Sequence, residues 1–142
     1  MITHGFGVDE KGRKMSKSVG NVGALQDVIK QSGADSLRLW VSMIDYRDDM
    51  AMGKEIITRI ADSYRKIRNT ARYLLSNLKD ELLGTSAMFD PEKDAVPFDQ
   101  LLDTDRWILA RAAETFERCR KAYEDYEFHT VYHRMLDLCT VD

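Results

Sequence analysis

Ile57-Thr58-Arg59-Ile60-Ala61-Asp62-Ser63-Tyr64-Arg65-Lys66-Ile67-Arg68-Asn69-Thr70-Ala71-Arg72-Tyr73-Leu74-Leu75 is the stretch that decides the fold class. Within it and on to Leu78, the apolar residues Ile57, Ile60, Tyr64, Ile67, Ala71, Leu74 and Leu78 recur at steps of three and four. That period draws one stripe along a helix, whereas a strand would need alternation. A long helix from Lys54 to about Lys79 is predicted, packed by its seam against other helices.

Downstream, Leu109, Ala112, Phe116, Cys119, Tyr123 and Tyr126 repeat the spacing and predict a second inward-facing stripe, with Asp103, Thr104 and Asp105 placed to cap the helix. A third helix is expected from Phe128, with Phe128, Val131, Tyr132, Met135 and Cys139 turned inward. Both prolines fall in the stretch from Gly84 to Pro97, which reads as a connection. Upstream, Met1 to Phe6 reads as the end of a strand, Gly7 to Asn21 as loop, and Leu25–Gln31 and Ser36–Met43 as short helices parted by Gly33. The expected class is mainly α: a loop and small connective fold, then an antiparallel helical bundle.

The composition, 44% hydrophobic and 32% charged, is that of a globular domain. No apolar run approaches the roughly 20 residues of a membrane span, and the first residues start no signal peptide, so a cytoplasmic protein is expected. Cys119 and Cys139 form no metal knuckle or disulfide framework and read as reduced core thiols. The net charge of −3 is unevenly spread. Residues 1–53 carry 7 basic and 7 acidic groups, residues 54–79 carry 7 and 2, and residues 80–142 carry 7 and 15. Any contact with a polyanion therefore belongs to the central helix and the loop before it.

That loop holds Lys14-Met15-Ser16-Lys17-Ser18 between Gly12 and Gly20. Two ammonium groups, two hydroxyls and free backbone amides on a hinged segment suit a polyphosphate. With Thr3-His4-Gly5-Phe6, Asp9-Glu10-Lys11-Gly12-Arg13 and Gly20-Asn21 around it, the segment closely resembles the KMSKS signature loop of the class I aminoacyl-tRNA synthetases. Gly33-Ala34-Asp35-Ser36-Leu37-Arg38-Leu39-Trp40-Val41 looks like the helix that follows the loop in the isoleucine, valine and leucine branch. Asp45-Tyr46-Arg47-Asp48-Asp49, Ser63 to Leu75 and Asp105-Arg106-Trp107-Ile108-Leu109-Ala110-Arg111 are most similar to the bacterial isoleucine-specific members.

The resemblance implies that residues 1–50 end a catalytic domain and that residues 51–142 open an α-helical anticodon-binding domain. It implies a parent enzyme that activates isoleucine with ATP, as its Mg2+ complex, and transfers it to tRNA(Ile), a monomer being expected. Lys17 is implied for ATP and the leaving pyrophosphate, with Lys14 assisting, the Met15 backbone near the adenine, and Ser16 and Ser18 supporting the closed loop. The chain lacks a His-x-Gly-His signature, so by itself it is expected to be inactive. The alternatives are a valine or leucine enzyme and a non-enzymatic helical RNA-binding module.

Other residues allow two readings. Arg65, Arg68, Arg72 and Lys79 line one stripe that either touches a tRNA backbone or pairs with Glu114, Glu117, Glu124 or Asp125 of the neighbouring helix, and the pairing is favoured. His4 sits beside the loop, but adenylation needs no imidazole base, so it reads as structural. His129 and His133 stand at i, i+4 without a third ligand, and no metal is expected. Trp40 and Trp107 are expected in the core.

Overall fold

In the computed structural model, which describes residues 2–22, 25–78 and 89–141, two very short parallel strands tie the start of the chain to its middle. Gly7–Val8 (β1) pairs with Met50–Ala51 (β2), Gly7 opposite Met50 and Val8 opposite Ala51. Flanking bonds extend the ladder: Met50 N–H donates to Phe6 C=O at 2.7 Å and Met52 N–H to Val8 C=O at 2.9 Å. Parallel strands require a long crossover. Here it contains the loop and the helices Leu25–Ser32 (α1) and Ala34–Met43 (α2). The strand lies one to two residues later than Met1 to Phe6, and β2 falls just beyond the loop read at Asp45 to Asp49. Two-residue strands are too short to show a period of two, so their pairing partner is what defines them.

Gly33 separates α1 from α2 with φ of 81°, a left-handed value that favours glycine, and its N–H closes α1 on Ile29 C=O at 2.9 Å. Trp40 of α2 is 8% exposed and its indole N–H reaches Ala51 C=O at 3.3 Å, so the helix is fastened to the sheet by a core tryptophan. Against it packs the start of Lys54–Ser76 (α3), with Ile60 1% exposed.

The remaining helices are Asp103–Glu124 (α4) and Phe128–Thr140 (α5). Leu102 N–H donates to the Asp105 carboxylate at 3.2 Å, so Asp105 supplies a cap at the start of α4. The α4–α5 corner is a Schellman turn: Tyr126 N–H reaches Tyr123 C=O at 3.2 Å, Glu127 N–H reaches Ala122 C=O at 2.7 Å, and Tyr126 takes φ of 59°. α5 packs against α4, α2 and α3, and is the centre of the bundle.

Four sequence expectations need correction. The α3 seam is covered through Ile67, but Ala71, Leu74 and Leu78 are exposed. Thr70 marks the limit, its hydroxyl donating to Cys139 C=O at 3.3 Å near the end of α5. On α4 the buried residues are Thr115, Cys119 and Ala122, while Phe116 (55% exposed), Leu109 and Tyr123 lie outside, as does Tyr126 in the corner beyond the helix. Small side chains let the two helices of a tight hairpin approach closely, so the narrow stripe won over the larger one. Trp107 is likewise exposed, at 52%.

The fourth expectation was pairing between α3 and α4. Arg65 instead pairs with Asp62 on its own helix, and Arg68 and Arg72 have no carboxylate partner among the described residues. On α4, Glu114 pairs with Arg111 and Arg118, and Glu117 with Arg120, all at i±3 or i±4. Glu114 and Glu117 are satisfied locally, and α5 is the helix that meets both partners. Lys79 and residues 84–88 of the proline-containing connection lie outside the described residues.

Candidate functional site

Asp9 organises the segment that carries the two lysines. Its backbone begins a tight turn, Gly12 N–H donating to Asp9 C=O at 2.9 Å and Asp9 N–H to Arg13 C=O at 2.9 Å, with Gly12 at φ of 73°. One carboxylate oxygen accepts from the backbone N–H groups of Lys11 (3.0 Å) and Arg13 (2.9 Å). The other accepts from the Arg13 guanidinium, at 2.9 Å from Nε, and from the Asn21 amide at 3.1 Å. The side chain is 15% exposed. These donors, the Arg13 backbone N–H foremost, hold the carboxyl far below the usual aspartate range, so it stays ionised.

The hairpin returns to the sheet through Met15 N–H, which donates to Gly7 C=O at 2.8 Å. Directly after it, Ser16 to Gly20 wind into a single turn: Val19 N–H and Gly20 N–H both reach Ser16 C=O, at 3.2 and 3.1 Å. The Ser16 hydroxyl lies 2.7 Å from that of Ser18 and accepts from Ser18 N–H at 3.3 Å. Ser16 therefore acts as the local cap of this turn. Lys17, between the two serines, is exposed at its outer edge. Lys14 is exposed too, but its ammonium rests 3.8 Å from the centre of the Phe6 ring, itself 59% exposed.

Asn21 closes the segment. Its side-chain carbonyl accepts from Ser16 N–H at 2.9 Å, and its NH2 donates to Asp9 and, at 3.2 Å, to Lys14 C=O. All five residues from Lys14 to Ser18 are thus gathered on one short, tied loop that presents two exposed cations, Lys17 without a partner among the described residues and Lys14 resting on the Phe6 ring. Arrangements of this kind complement several negative charges on one ligand.

Arg65, Arg68 and Arg72 stand on α3, a different element, exposed and at helical spacing. His4 is exposed, with Nδ1 2.7 Å from the Gly5 C=O. His133 stacks edge-on against Tyr132, ring centres 5.0 Å apart, and His129 Nδ1 is buried without a partner, so the helical pair is occupied with packing. Among the described residues no group of three or more metal-ligating side chains converges. Both cysteines are free, and burial pushes the Cys119 thiol pKa up.

The residues that sequence reasoning missed are Asp9, Asn21 and Phe6. The turn chemistry of Asp9-Glu10-Lys11-Gly12 was a usable signal for the first. The other two are recognisable only once the chain has folded back on itself.

Residues 1–53 match the family described as tRNA synthetases class I (I, L, M and V), and residues 105–142 match the anticodon-binding domain of tRNA ligase. Over all 142 residues the chain is 54% identical to the isoleucine–tRNA ligase of Syntrophotalea carbinolica, 52% to that of Geobacter sulfurreducens and 53% to that of Symbiobacterium thermophilum. In each case it spans 14% of the relative's length. A solved LeuRS from Agrobacterium radiobacter, in a ternary complex with tRNA and LeuAMS, superposes with a TM-score of 0.73 at 21% identity, over 96% of this chain and 16% of that one. No helix among the described residues is long and apolar enough to cross a membrane.

Proposed function

The chain belongs to the class I aminoacyl-tRNA synthetases, homologous along its whole length to a segment of isoleucine–tRNA ligases, and on that premise we propose that its tied loop is the ATP-binding signature loop of an isoleucine-activating enzyme. The observation that carries this reading is the outward presentation of Lys17 on a turn whose backbone is held by Ser16, Ser18 and Asn21.

In the proposed reaction the isoleucine carboxylate attacks the α-phosphorus of ATP, supplied as its Mg2+ complex, and pyrophosphate leaves. Negative charge grows on the leaving group, where a cation that needs no reorganisation lowers the barrier. Lys17 meets that charge. Lys14 leaves the Phe6 ring to assist, and the Met15 backbone lies against the adenine. Ser16 and Ser18 keep the turn wound while the lysines are engaged. The second step transfers the aminoacyl group to tRNA(Ile).

Residues 1–50 supply this loop and the connective helices beneath it, and residues 51–142 begin the helical domain that holds tRNA. Exposed and without carboxylate partners among the described residues, Arg68 and Arg72 are free to neutralise tRNA phosphates, with Arg65 partly engaged by Asp62. Identity above 50% to isoleucine enzymes favours isoleucine over valine or leucine as the amino acid.

The test is isoleucine-dependent ATP–pyrophosphate exchange in the full-length enzyme carrying this segment. Lys17→Ala is expected to lower kcat with little effect on the KM for isoleucine. Exchange unaffected by Lys17→Ala would assign the loop another role.

A further inference from the structure

We propose that Asn21, working with Asp9, is a positioning residue for the activation step: a latch that fixes the loop geometry in which Lys17 and Lys14 are presented. The proposal rests on the ATP-binding reading of the loop and adds a role for two residues that carry no charge to the substrate. Asn21 is placed for it by geometry. Its amide uses both ends at once, accepting from Ser16 N–H at 2.9 Å and donating to Lys14 C=O at 3.2 Å and to Asp9 at 3.1 Å. Residues 14 and 16 are the base of the lysine loop, and residue 21 lies beyond its far end, so one side chain staples the loop across its mouth.

The anchor of that staple is itself immobile. Asp9 is held by two backbone N–H groups and the Arg13 guanidinium, and the hairpin it sits in is tied to β1, whose Val8 is buried and paired with Ala51. Ser16, the residue that receives the latch, also winds the turn that carries Lys17. A displaced Ser16 therefore displaces Lys17. Because the Asn21 amide is taken up by Ser16, Asp9 and Lys14, its contribution is expressed through the lysines, and a barrier sensitive to cation placement at the ångström scale registers the loss.

Neither partner tolerates exchange of its amide for a carboxylate or the reverse. Asn21→Asp retains an acceptor for Ser16 N–H yet sets a second carboxylate against Asp9, which repels it. Asp9→Asn likewise turns an NH2 toward the Asn21 amide and the Arg13 guanidinium, both donors, and breaks the same cross-loop bond.

The experiment uses the full-length enzyme and reads pyrophosphate exchange for Asn21→Ala, Asn21→Asp, Asp9→Asn, Lys17→Ala, and Lys17→Ala combined with Asn21→Ala, each shown by thermal unfolding to be folded. Asn21→Ala is expected to lower kcat about 10- to 100-fold with the KM for isoleucine unchanged. Asn21→Asp should be at least as damaging, and Asp9→Asn should also lower kcat. If Asn21 acts through Lys17, removing Asn21 from an enzyme already lacking Lys17 costs much less than removing it from the wild type.

Fully multiplicative losses in the combined variant would overturn the latch, since Asn21 would then act independently of Lys17. An active Asn21→Ala enzyme beside a crippled Lys17→Ala enzyme would also overturn it while leaving the ATP-binding reading intact. A fully active Asp9→Asn enzyme would reject Asp9 as the partner. A silent Lys17→Ala would overturn the functional reading and the latch together.

Discussion

Lys17 and Lys14 sit three residues apart but in different electrostatic company, and that separates their expected contributions. Lys17 is uncommitted, whereas Lys14 must first leave the Phe6 ring, an interaction worth about 0.5–1 kcal/mol at an exposed site. In the full-length enzyme, Lys17→Ala should cost about 2 to 4 kcal/mol of transition-state stabilisation, read as roughly a 30- to 1000-fold fall in exchange rate. Lys14→Ala should be milder. Arg68→Ala should leave exchange nearly unchanged and reduce tRNA charging, with a shallower dependence on salt. Asp9 makes a further prediction about pH. Its carboxyl is depressed by the Arg13 backbone N–H and its other donors, so its contribution to stability is fully present above the unfolded value of about 3.9 and is lost as pH falls through the folded one. The Asn21 side-chain amide resonances should therefore be flat from pH 8 to 5 and move only in stronger acid. The charge-bearing residues were legible in the sequence because a lysine advertises its chemistry. Asn21 was not, because an amide's role depends on what three other groups do around it.

At the scale of elements, long helices were legible and their faces were not. α3 begins at the expected residue, and its heptad seam is correct as far as a neighbour exists to receive it. α4 carries two apolar stripes that share an edge at Cys119, and periodicity alone ranks the larger one first. Packing chose Thr115, Cys119 and Ala122 because α5 is delivered to that side by the Schellman corner. The consequence is measurable by chemical denaturation. Ala122→Leu should destabilise by about 1 to 3 kcal/mol through overpacking, whereas Phe116→Gln on the outer face should fall within about 0.5 kcal/mol. The corner supplies its own test. Tyr126 holds a left-handed backbone at φ of 59° and sets its ring against Phe128, centroids 6.3 Å apart. Tyr126→Gly should be nearly neutral, the relieved backbone offsetting the lost ring contact, while the β-branched Tyr126→Val should cost about 1 to 2 kcal/mol. The β-strands were beyond the reach of pattern reading for the opposite reason: they exist through a partner 43 residues away, Gly7 with Met50, and have no length of their own.

For the whole molecule, the connective fold and the helical bundle share one structure through α2 and α5, and Arg47 reinforces the join by reaching Asp45 at 3.1 Å and Glu127 at 3.4 Å. The 142-residue chain should nevertheless form no adenylate, because effective catalysis requires both substrates to be oriented and the sequence carries no His-x-Gly-His motif to complete the ATP site. Pyrophosphate exchange by the isolated chain at the level of a protein-free blank is the expected result. Gly5 shows how closely the parts fit. Its N–H donates to Tyr46 C=O at 2.8 Å, and a methyl group in its place would fall 2.2 Å from the Asp48 carbonyl oxygen. Gly5→Ala should push the 45–49 turn away from the loop and destabilise by about 1 to 3 kcal/mol.

The pairing of β1 with β2 also has a kinetic meaning. The chain must close a long excursion before Gly7 finds Met50, and a ladder of two residues returns little for the entropy of closure. The signature loop, whose hairpin is hung on β1, can therefore acquire its native form only after α1 and α2 have collapsed and Trp40 has seated on Ala51. In refolding, amides of Asp9, Arg13 and Met15 should gain protection late, behind those around Ile60. During synthesis, the segment that emerges first among these is the one that waits: the ribosome delivers the lysines before it delivers the strand that holds them in place.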